Sequence, residues 1–197
     1  MRSYNQYCGV AKALDLVGQR WALLIVRDLL PGPRRFSDLI RPGLTPNVLT
    51  TRLHELRDAG LLEATTLPPP GARKVWRLTE AGQRLRPVVL ALGHFGATYM
   101  GSTEGHTTDV RWFVVSLERR WVPSGAKGVV QLIVDDVPYR VQLTERGARV
   151  SDGLTDRPDA TWRGSASELF QAVRTGPRPA DPSGLLANLF DGIAAPG

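Results

Sequence analysis

The side chains best suited to nucleophilic or metal chemistry are few in this chain, namely Cys8, His54, His94 and His106. The histidines show no spacing with cysteine or with paired carboxylates of the kind that a zinc site requires. The sequence contains no phosphate-binding P-loop and no dinucleotide fingerprint. The Asp135-Asp136 pair suits a two-residue hairpin turn better than acid–base catalysis. We therefore expect a protein that is not an enzyme and that holds neither a metal nor a cofactor.

The distribution of charge indicates a polyanionic partner for one half of the chain. The 197 residues carry a net charge of +6. Residues 1–106 contain 14 Lys and Arg against 8 Asp and Glu, whereas residues 107–197 contain 11 against 11. Because all the excess positive charge lies in the first half, nucleic acid is the expected partner of that half alone, although a basic surface also favours solubility.

A helix that begins after Thr45 has an outer surface suited to base recognition. Thr45 is a good N-cap, and Pro46 suits the first helical position, where its missing N–H costs nothing. Apolar residues at steps of four and three fix the inward face, which holds Leu49, Leu53 and Leu56. The opposite face holds Asn47, Thr51, His54 and Asp58, with Thr50 at its edge. Short polar side chains there can reach base edges in the major groove, although such a face can also be merely solvated.

The segment after this helix predicts a basic hairpin. Residues 61–67 and 74–78 have the composition of two strands, joined by a stiff turn at 68–72. A short helix around Phe36 precedes the polar-faced helix, and Thr79-Glu80 caps a later helix over 79–100. This order is that of a winged helix-turn-helix, whose wing contacts phosphates. The predicted DNA-contacting residues are Asn47, Thr50, Thr51, His54, Arg34, Arg35, Arg52, Arg73, Lys74 and Arg77.

Many short motifs of the first half fall in one order, namely Cys8–Gly18, Arg20-Trp21, Gly32–Leu39, Leu44–Leu49, Arg52-Leu53, Leu56, Ala59–Leu62 and Leu78–Gly82. Through them, residues 7–96 resemble the HxlR-type branch of the MarR-like winged-helix regulators. The resemblance implies a homodimeric transcriptional regulator, expected to act as a repressor, that binds a palindromic operator in double-stranded DNA. It also implies that the first and last helices of the domain pair across a two-fold axis. One departure is Gly9, since a proline often follows the cysteine.

Cys8 has two interpretations. Some members of the resembled family use an N-terminal cysteine at this position as a thiol sensor of oxidants or electrophiles, which would make this protein a redox-sensing regulator. A reactive thiol needs exposure and a lowered pKa, and a helix opening at Cys8 with Lys12 one turn further on could lower it. Alternatively, Cys8 packs beside Tyr4, Tyr7 and Val10 at the dimer seam.

Cysteine content and apolar runs bear on location. A single cysteine suits the cytoplasm, and no charged segment leads into an apolar stretch at the N-terminus. The longest apolar runs are too short to span a bilayer. We therefore expect a cytoplasmic protein without a membrane partner.

Residues 107–197 have the pattern of a second domain after a small, polar linker. The expected elements are a helix from Val110 to Trp121, a hairpin over 129–134 and 137–143, strands at 148–150 and 160–162, a capped helix from Ser165 to Gly176 and a last short helix. The expected fold class is thus α+β, with a winged helix-turn-helix domain over residues 1–100 and a small α+β domain over residues 107–197.

The second domain resembles the sterol carrier protein-like fold through Val130–Val134, Tyr139–Leu143 and Pro158–Gly164. The resemblance implies an apolar tunnel and a hydrophobic small-molecule effector, whose acidic head group Arg140 or Arg163 could anchor. A scaffold without ligand is the structural alternative, and a lipid carrier with secondary DNA binding is the functional one. The candidate pocket residues are Phe113, Leu117, Trp121, Trp162, Phe170, Leu186 and Phe190.

Overall fold

Apolar residues at helical spacing make the first part of the chain mainly α-helical. The computed structural model describes residues 3–67, 73–101, 105–174 and 181–191. The chain divides into two compact units, Met1–Val89 and Leu90–Gly197. The first unit contains α1 (Gly9–Val17), α2 (Ala22–Leu29), α3 (Phe36–Leu39), α4 (Pro46–Asp58), β1 (Leu62–Thr66), β2 (Lys74–Leu78), α5 (Glu80–Gln83) and the start of α6 (Arg86–Ala97). None of the described helices is long and apolar enough to cross a membrane.

The predicted start and inward face of α4 are confirmed. The Val48 N–H donates to the Thr45 hydroxyl at 3.4 Å, and Pro46 is the first helical residue. The helix buries one leucine in each turn, namely Leu49, Leu53 and Leu56. Gly60 adopts a φ of +73°, a conformation that glycine tolerates without strain, and the chain turns there into β1. These contacts fix which side of α4 faces solvent.

The strands β1 and β2 form the predicted antiparallel hairpin. Their register runs from Leu62 opposite Leu78 to Thr66 opposite Lys74. The predicted first strand, 61–67, extends one residue beyond β1 at each end, and the predicted turn at 68–72 lies outside the described residues. The hairpin therefore follows α4 directly, as a wing does.

The helix predicted over 79–100 is instead two helices, α5 and α6. The N-cap at Thr79 is confirmed, since its hydroxyl accepts from the Gly82 N–H at 3.1 Å. The break follows from Pro87, which has no N–H to continue the hydrogen-bond pattern of α5, so a new helix begins at Arg86. The Arg86 guanidinium is buried and donates to the Leu30 carbonyl, which ties the start of α6 to the end of α2.

The second unit is a four-stranded sheet with helices. It contains the end of α6, then α7 (Val110–Arg120), β3 (Gly128–Val134), β4 (Val137–Thr144), β5 (Gly147–Asp152), β6 (Ala160–Gly164), α8 (Ala166–Arg174) and α9 (Leu185–Asp191). The strand order is β5-β4-β3-β6, with β3 and β6 parallel and the other neighbours antiparallel. The fold of the described residues is thus α+β, as the sequence predicts.

Two local predictions in this unit are confirmed by hydrogen bonds and backbone angles. Asp135 and Asp136 form the two-residue turn between β3 and β4, both at positive φ. Ser165 and Glu168 form the capping box of α8, because the Ser165 N–H donates to the Glu168 carboxylate at 2.6 Å and the Glu168 N–H to the Ser165 hydroxyl at 3.2 Å. The predicted end of this helix at Gly176-Pro177 lies outside the described residues.

Candidate nucleic-acid interface

The outer surface of α4 carries short, polar, uncharged side chains between Asn47 and His54. Asn47, Thr50, Thr51 and His54 are all exposed, as predicted from the helical pattern. The Thr51 hydroxyl donates to the Asn47 carbonyl at 2.9 Å, so that part of its polarity is used within the helix. Because the buried leucines fix the rotation of α4, these four side chains face solvent together.

The two arginines of α4 are engaged by carboxylates of the same helix. Arg52 forms an ion pair with Glu55, and the Arg52 side chain is only 19% exposed. Arg57, in the last turn, pairs with the adjacent Asp58 at 2.9 Å. Arg52, predicted to contact DNA, therefore lies beside the outer face with its charge already paired.

The hairpin presents cations beside α4. Arg73 and Lys74 are exposed, and Arg77 is exposed with its Nε donating to the Glu63 carboxylate at 2.7 Å. The ring of Trp76 on β2 lies 6.2 Å from that of His54, measured between ring centroids. Contact between these rings places the outer face of α4 and the basic strand β2 next to each other.

The structure corrects the prediction for Arg34. This residue is only 8% exposed, and its guanidinium donates to the Pro33 carbonyl at 3.0 Å. Its backbone pairs with that of Trp76 in both directions, which adds a short bridge to the hairpin. Arg34 thus joins the middle of β2 through its backbone, and its side chain is buried, not presented to solvent as the prediction of a phosphate contact requires. Arg35 is exposed, as expected, and its N–H donates to the Asp38 carboxylate at 3.0 Å.

The buried Asp28 forms an ion pair with Arg41, whose side chain is 13% exposed, and the sequence pattern did not predict this pair. Asp28 in α2 is 7% exposed, and Arg41 Nη2 donates to its carboxylate at 2.9 Å. Arg41 Nη1 also donates to the carbonyls of Asp38 and Ile40, at 3.0 and 3.1 Å. One arginine therefore ties the end of α3 to α2 and sets the loop that leads into α4. A carboxylate on the buried face of a predicted helix is the signal that could have found it.

Cys8 is exposed and is the N-cap residue of α1. The backbone N–H groups of Ala11 and Val10, in the first turn of α1, lower the pKa of the thiol below its ordinary value. The sulfur makes no capping hydrogen bond of normal geometry, so the effect is that of nearby N–H dipoles. The thiol therefore has the exposure and the lowered pKa that a thiol sensor needs. The alternative interpretation, packing at a dimer seam, involves a second copy of the chain.

Large apolar side chains are exposed on the first and last helices of the predicted DNA-binding domain. Around α1 and α2 these are Tyr4, Tyr7, Val10, Leu14 and Leu24. Along and after α6 they are Val88, Leu92, Phe95, Tyr99 and Met100. Patches of this kind mark interaction surfaces on soluble proteins.

The residues predicted to line an apolar pocket form the core of the second unit. Leu117, Trp121, Trp162, Leu186 and Phe190 are buried in one cluster, and Phe113 packs against it. The rings of Phe113 and Phe170 have centroids 4.1 Å apart, and those of Trp162 and Phe190 lie 6.2 Å apart. These side chains therefore contact one another. Arg163 pairs with Asp136, and Arg140 is half-buried on β4.

Comparison with known proteins assigns the first half of the chain. A family model described as HxlR-like helix-turn-helix matches residues 16–104. YvaP of Bacillus subtilis, named as an HTH-type transcriptional regulator, is 38% identical over 80 residues, which cover 40% of this chain and 74% of YvaP. This chain belongs to the HxlR-like helix-turn-helix family. The HxlR-like segment begins after Cys8 and ends before α7, so neither Cys8 nor the sheet of the second unit lies within it.

Further relatives and solved structures also match about half of the chain. An HTH-type transcriptional regulator of Mycobacterium tuberculosis is 38% identical over 103 residues, which cover 52% of this chain and 65% of that relative. Among solved structures, the redox regulator HypR in its oxidized form is 28% identical, with a TM-score of 0.44 over 48% of this chain and all of HypR. The reduced form of YodB from Bacillus subtilis is 27% identical, with a TM-score of 0.41 over 53% of this chain and all of YodB.

No group of three or more His, Cys, Asp or Glu side chains within the described ranges is placed to hold a metal ion.

Proposed function

We propose that this HxlR-like protein is a transcriptional regulator that binds duplex DNA with α4 in the major groove and the β1–β2 hairpin on the phosphates. The observation that carries the proposal is the uncharged polar face of α4 lying beside β2, with Arg73 and Lys74 exposed at the start of that strand. Such a helix can read base edges, while cations on a hairpin fix its position on the backbone. The relatives named as transcriptional regulators support the same role.

The proposal includes a homodimer that acts in the cytoplasm on a palindromic operator, as a repressor. One recognition helix contacts only a few base pairs, so specific binding normally needs two half-sites related by a two-fold axis. Exposed apolar side chains such as Val10 of α1 and, separately, Phe95 of α6 give a second copy surfaces to cover. Sedimentation at micromolar concentration should show a dimer, and a single 21.6 kDa species would contradict this part.

Two triggers are proposed for the regulator. The exposed Cys8 thiol, with its lowered pKa, favours sensing of oxidants or electrophiles. An apolar effector in the second unit is the other, and it requires the packed side chains around Trp162 to open around a ligand. Native mass spectrometry after addition of fatty acids, sterols and aromatic polyketides tests that effector. A domain that binds none of them is a scaffold.

The DNA proposal is tested by affinity across a salt series. Lys74→Ala should lower the slope of log K against log salt by about 1 per protomer. The reason is that a protein with one phosphate contact fewer releases fewer counterions when it binds. Lys127→Ala is the matched control, since it removes the same charge from an exposed site in the second unit. Equal slopes for Lys74→Ala and the unaltered protein would remove the hairpin from the interface.

The base-reading part of the proposal is tested at Asn47. Asn47→Ala should weaken binding to the preferred site by about 1–3 kcal/mol at one base-pair position and leave non-specific binding nearly intact. A uniform loss on every sequence would assign Asn47 to the DNA backbone instead.

A further inference from the structure

The outer face of α4, with the adjoining Val48, offers methyl groups as well as polar side chains, and the two arginines of the helix are paired with carboxylates. We propose that the half-site bases under α4 are A·T pairs, and that Val48 and Thr51 recognise thymines through their C5 methyl groups. The inference rests on the proposed DNA binding and adds the base class that α4 selects. In the major groove, thymine is distinguished from the other bases by this methyl group, which apolar side chains contact.

The methyl groups come from two residues on adjoining parts of the face. Val48 lies in the first turn of α4 with 37% of its surface exposed, although it is an apolar residue. Thr51 is exposed, and its hydroxyl proton is committed to the Asn47 carbonyl. With its proton donated to the helix backbone, the Thr51 hydroxyl offers a base only acceptor lone pairs, whereas its γ-methyl offers an apolar contact. Each residue thus brings an apolar group to a surface that reads bases.

Within α4, the side chains that usually recognise guanine are paired with carboxylates of the same helix. Arginine and lysine are the commonest guanine contacts, and α4 has no lysine and two arginines. The Arg52 side chain is only 19% exposed and pairs with Glu55. This pair also occupies the Glu55 carboxylate, which could otherwise accept a hydrogen bond from cytosine. Arg57 lies in the last turn, away from the end that enters the groove, and pairs with Asp58.

The exposed amide of the first turn favours adenine. Asn47 is exposed in the first turn, and an asparagine amide matches the adenine N6 and N7 groups with two hydrogen bonds. His54 lies nearly two turns further along, with its ring beside Trp76 of the hairpin. The first two turns of α4 therefore combine an adenine-reading amide with two thymine-reading methyl groups.

The experiment removes thymine methyl groups one at a time. Preferred sites are first selected from random duplex DNA with the full-length protein. Each thymine of the selected half-site is then replaced by deoxyuridine, which lacks only the C5 methyl. Two of these replacements should weaken binding by about fourfold each, the value expected for one buried methyl group.

Two variants assign the methyl contacts. Val48→Ala should abolish the effect of deoxyuridine at one position, and Thr51→Ser at the other, because serine keeps the hydroxyl bond and loses only the methyl. Thr144→Ser is the matched control, since Thr144 is an exposed threonine of the second unit whose hydroxyl also donates to a backbone carbonyl. This control should respond to deoxyuridine as the unaltered protein does.

The possible outcomes separate this inference from the proposed function. Failure to select or bind any duplex would refute DNA binding itself. Tight binding to half-sites with G·C pairs at the selected positions, or without sensitivity to deoxyuridine, would overturn the inference and leave DNA binding in place. Sensitivity that persists unchanged in Val48→Ala and Thr51→Ser would overturn the assignment of these residues.

Discussion

Replacing Arg41 by methionine tests whether the ion pair between Arg41 and the buried Asp28 stabilises the helix-turn-helix. The variant keeps an unbranched apolar stem of similar shape and removes the guanidinium. It deletes the ion pair with Asp28 at 2.9 Å and the hydrogen bonds to the Asp38 and Ile40 carbonyls. Asp28, with 6% of its side chain exposed, then loses this cation and keeps that of Arg27, which lies 2.9 Å away.

The expected cost follows from these contacts. Removing one partner of a buried ion pair typically destabilises a protein by about 3–5 kcal/mol, because the other charge stays buried without compensation. Since Arg27 partly compensates Asp28, we expect a loss of about 3 kcal/mol for Arg41→Met, near the low end. Arg57→Met is the matched control within the same unit. Its pair with Asp58 is exposed at both ends, so its loss should be below about 0.5 kcal/mol.

Hydrogen exchange measured by mass spectrometry reports the first unit separately from the second. In peptides from α2 and α4, Arg41→Met should lower protection by about 100-fold, while peptides from β3 and β4 keep theirs. Adding Asp28→Asn to Arg41→Met should recover part of the loss, because it removes a buried carboxylate that has lost one of its cations. A loss below about 1 kcal/mol, or a double variant no more stable than Arg41→Met, would refute the reasoning.

Three further outcomes are expected. Gly82→Ala should lower the melting temperature, because a Cβ there would lie 2.1 Å from the Leu61 carbonyl oxygen. Gly96→Ala in α6 is the control: its Cβ would meet nothing within 4 Å, so the melting temperature should stay equal or rise. Equal decreases in the melting temperatures of the two variants would contradict this. The rate of Cys8 alkylation by iodoacetamide should rise with pH at a midpoint below that of N-acetylcysteine, because the α1 N–H groups lower the pKa of the thiol and keep the thiolate present at lower pH. A midpoint at or above that of N-acetylcysteine would show that these N–H groups do not lower the pKa. Glu118→Ala should weaken exchange protection of β5 by about 1–3 kcal/mol, since Glu118 accepts from the buried Val150 N–H at 2.7 Å; unchanged protection would show that water replaces the carboxylate.

Much of the architecture could be predicted because its signals are local. The N-cap at Thr45, the turn at Asp135-Asp136 and the capping box at Ser165 each depend on residues no more than four positions apart, and each occurs as expected. The face of α4 follows in the same way from its buried leucines. The break at Pro87 also had a local signal, but the apolar periodicity on both sides of it suggested one helix.

The site itself was only partly predictable, since several of its features depend on contacts between distant residues. An arginine near a turn looks exposed in sequence, yet Arg34 is buried by its bridge to Trp76, 42 positions away. The Asp28–Arg41 pair joins residues 13 positions apart, and the His54–Trp76 contact joins a helix to a strand. Periodicity also identifies an apolar face without showing whether the same chain covers it, as the exposed Phe95 illustrates.

The placement of β3 between β4 and β6 has a consequence for aggregation. Residues 129–134 form a run of six with high β propensity, no charge and no proline, which is the composition of a self-associating segment. In the folded chain both edges of this strand are occupied, and Asp159 clamps the start of β6 to it through two hydrogen bonds with Val129, each 2.8 Å long. A variant that loosens β6 would therefore expose the edge of β3 and favour edge-to-edge association and insoluble material.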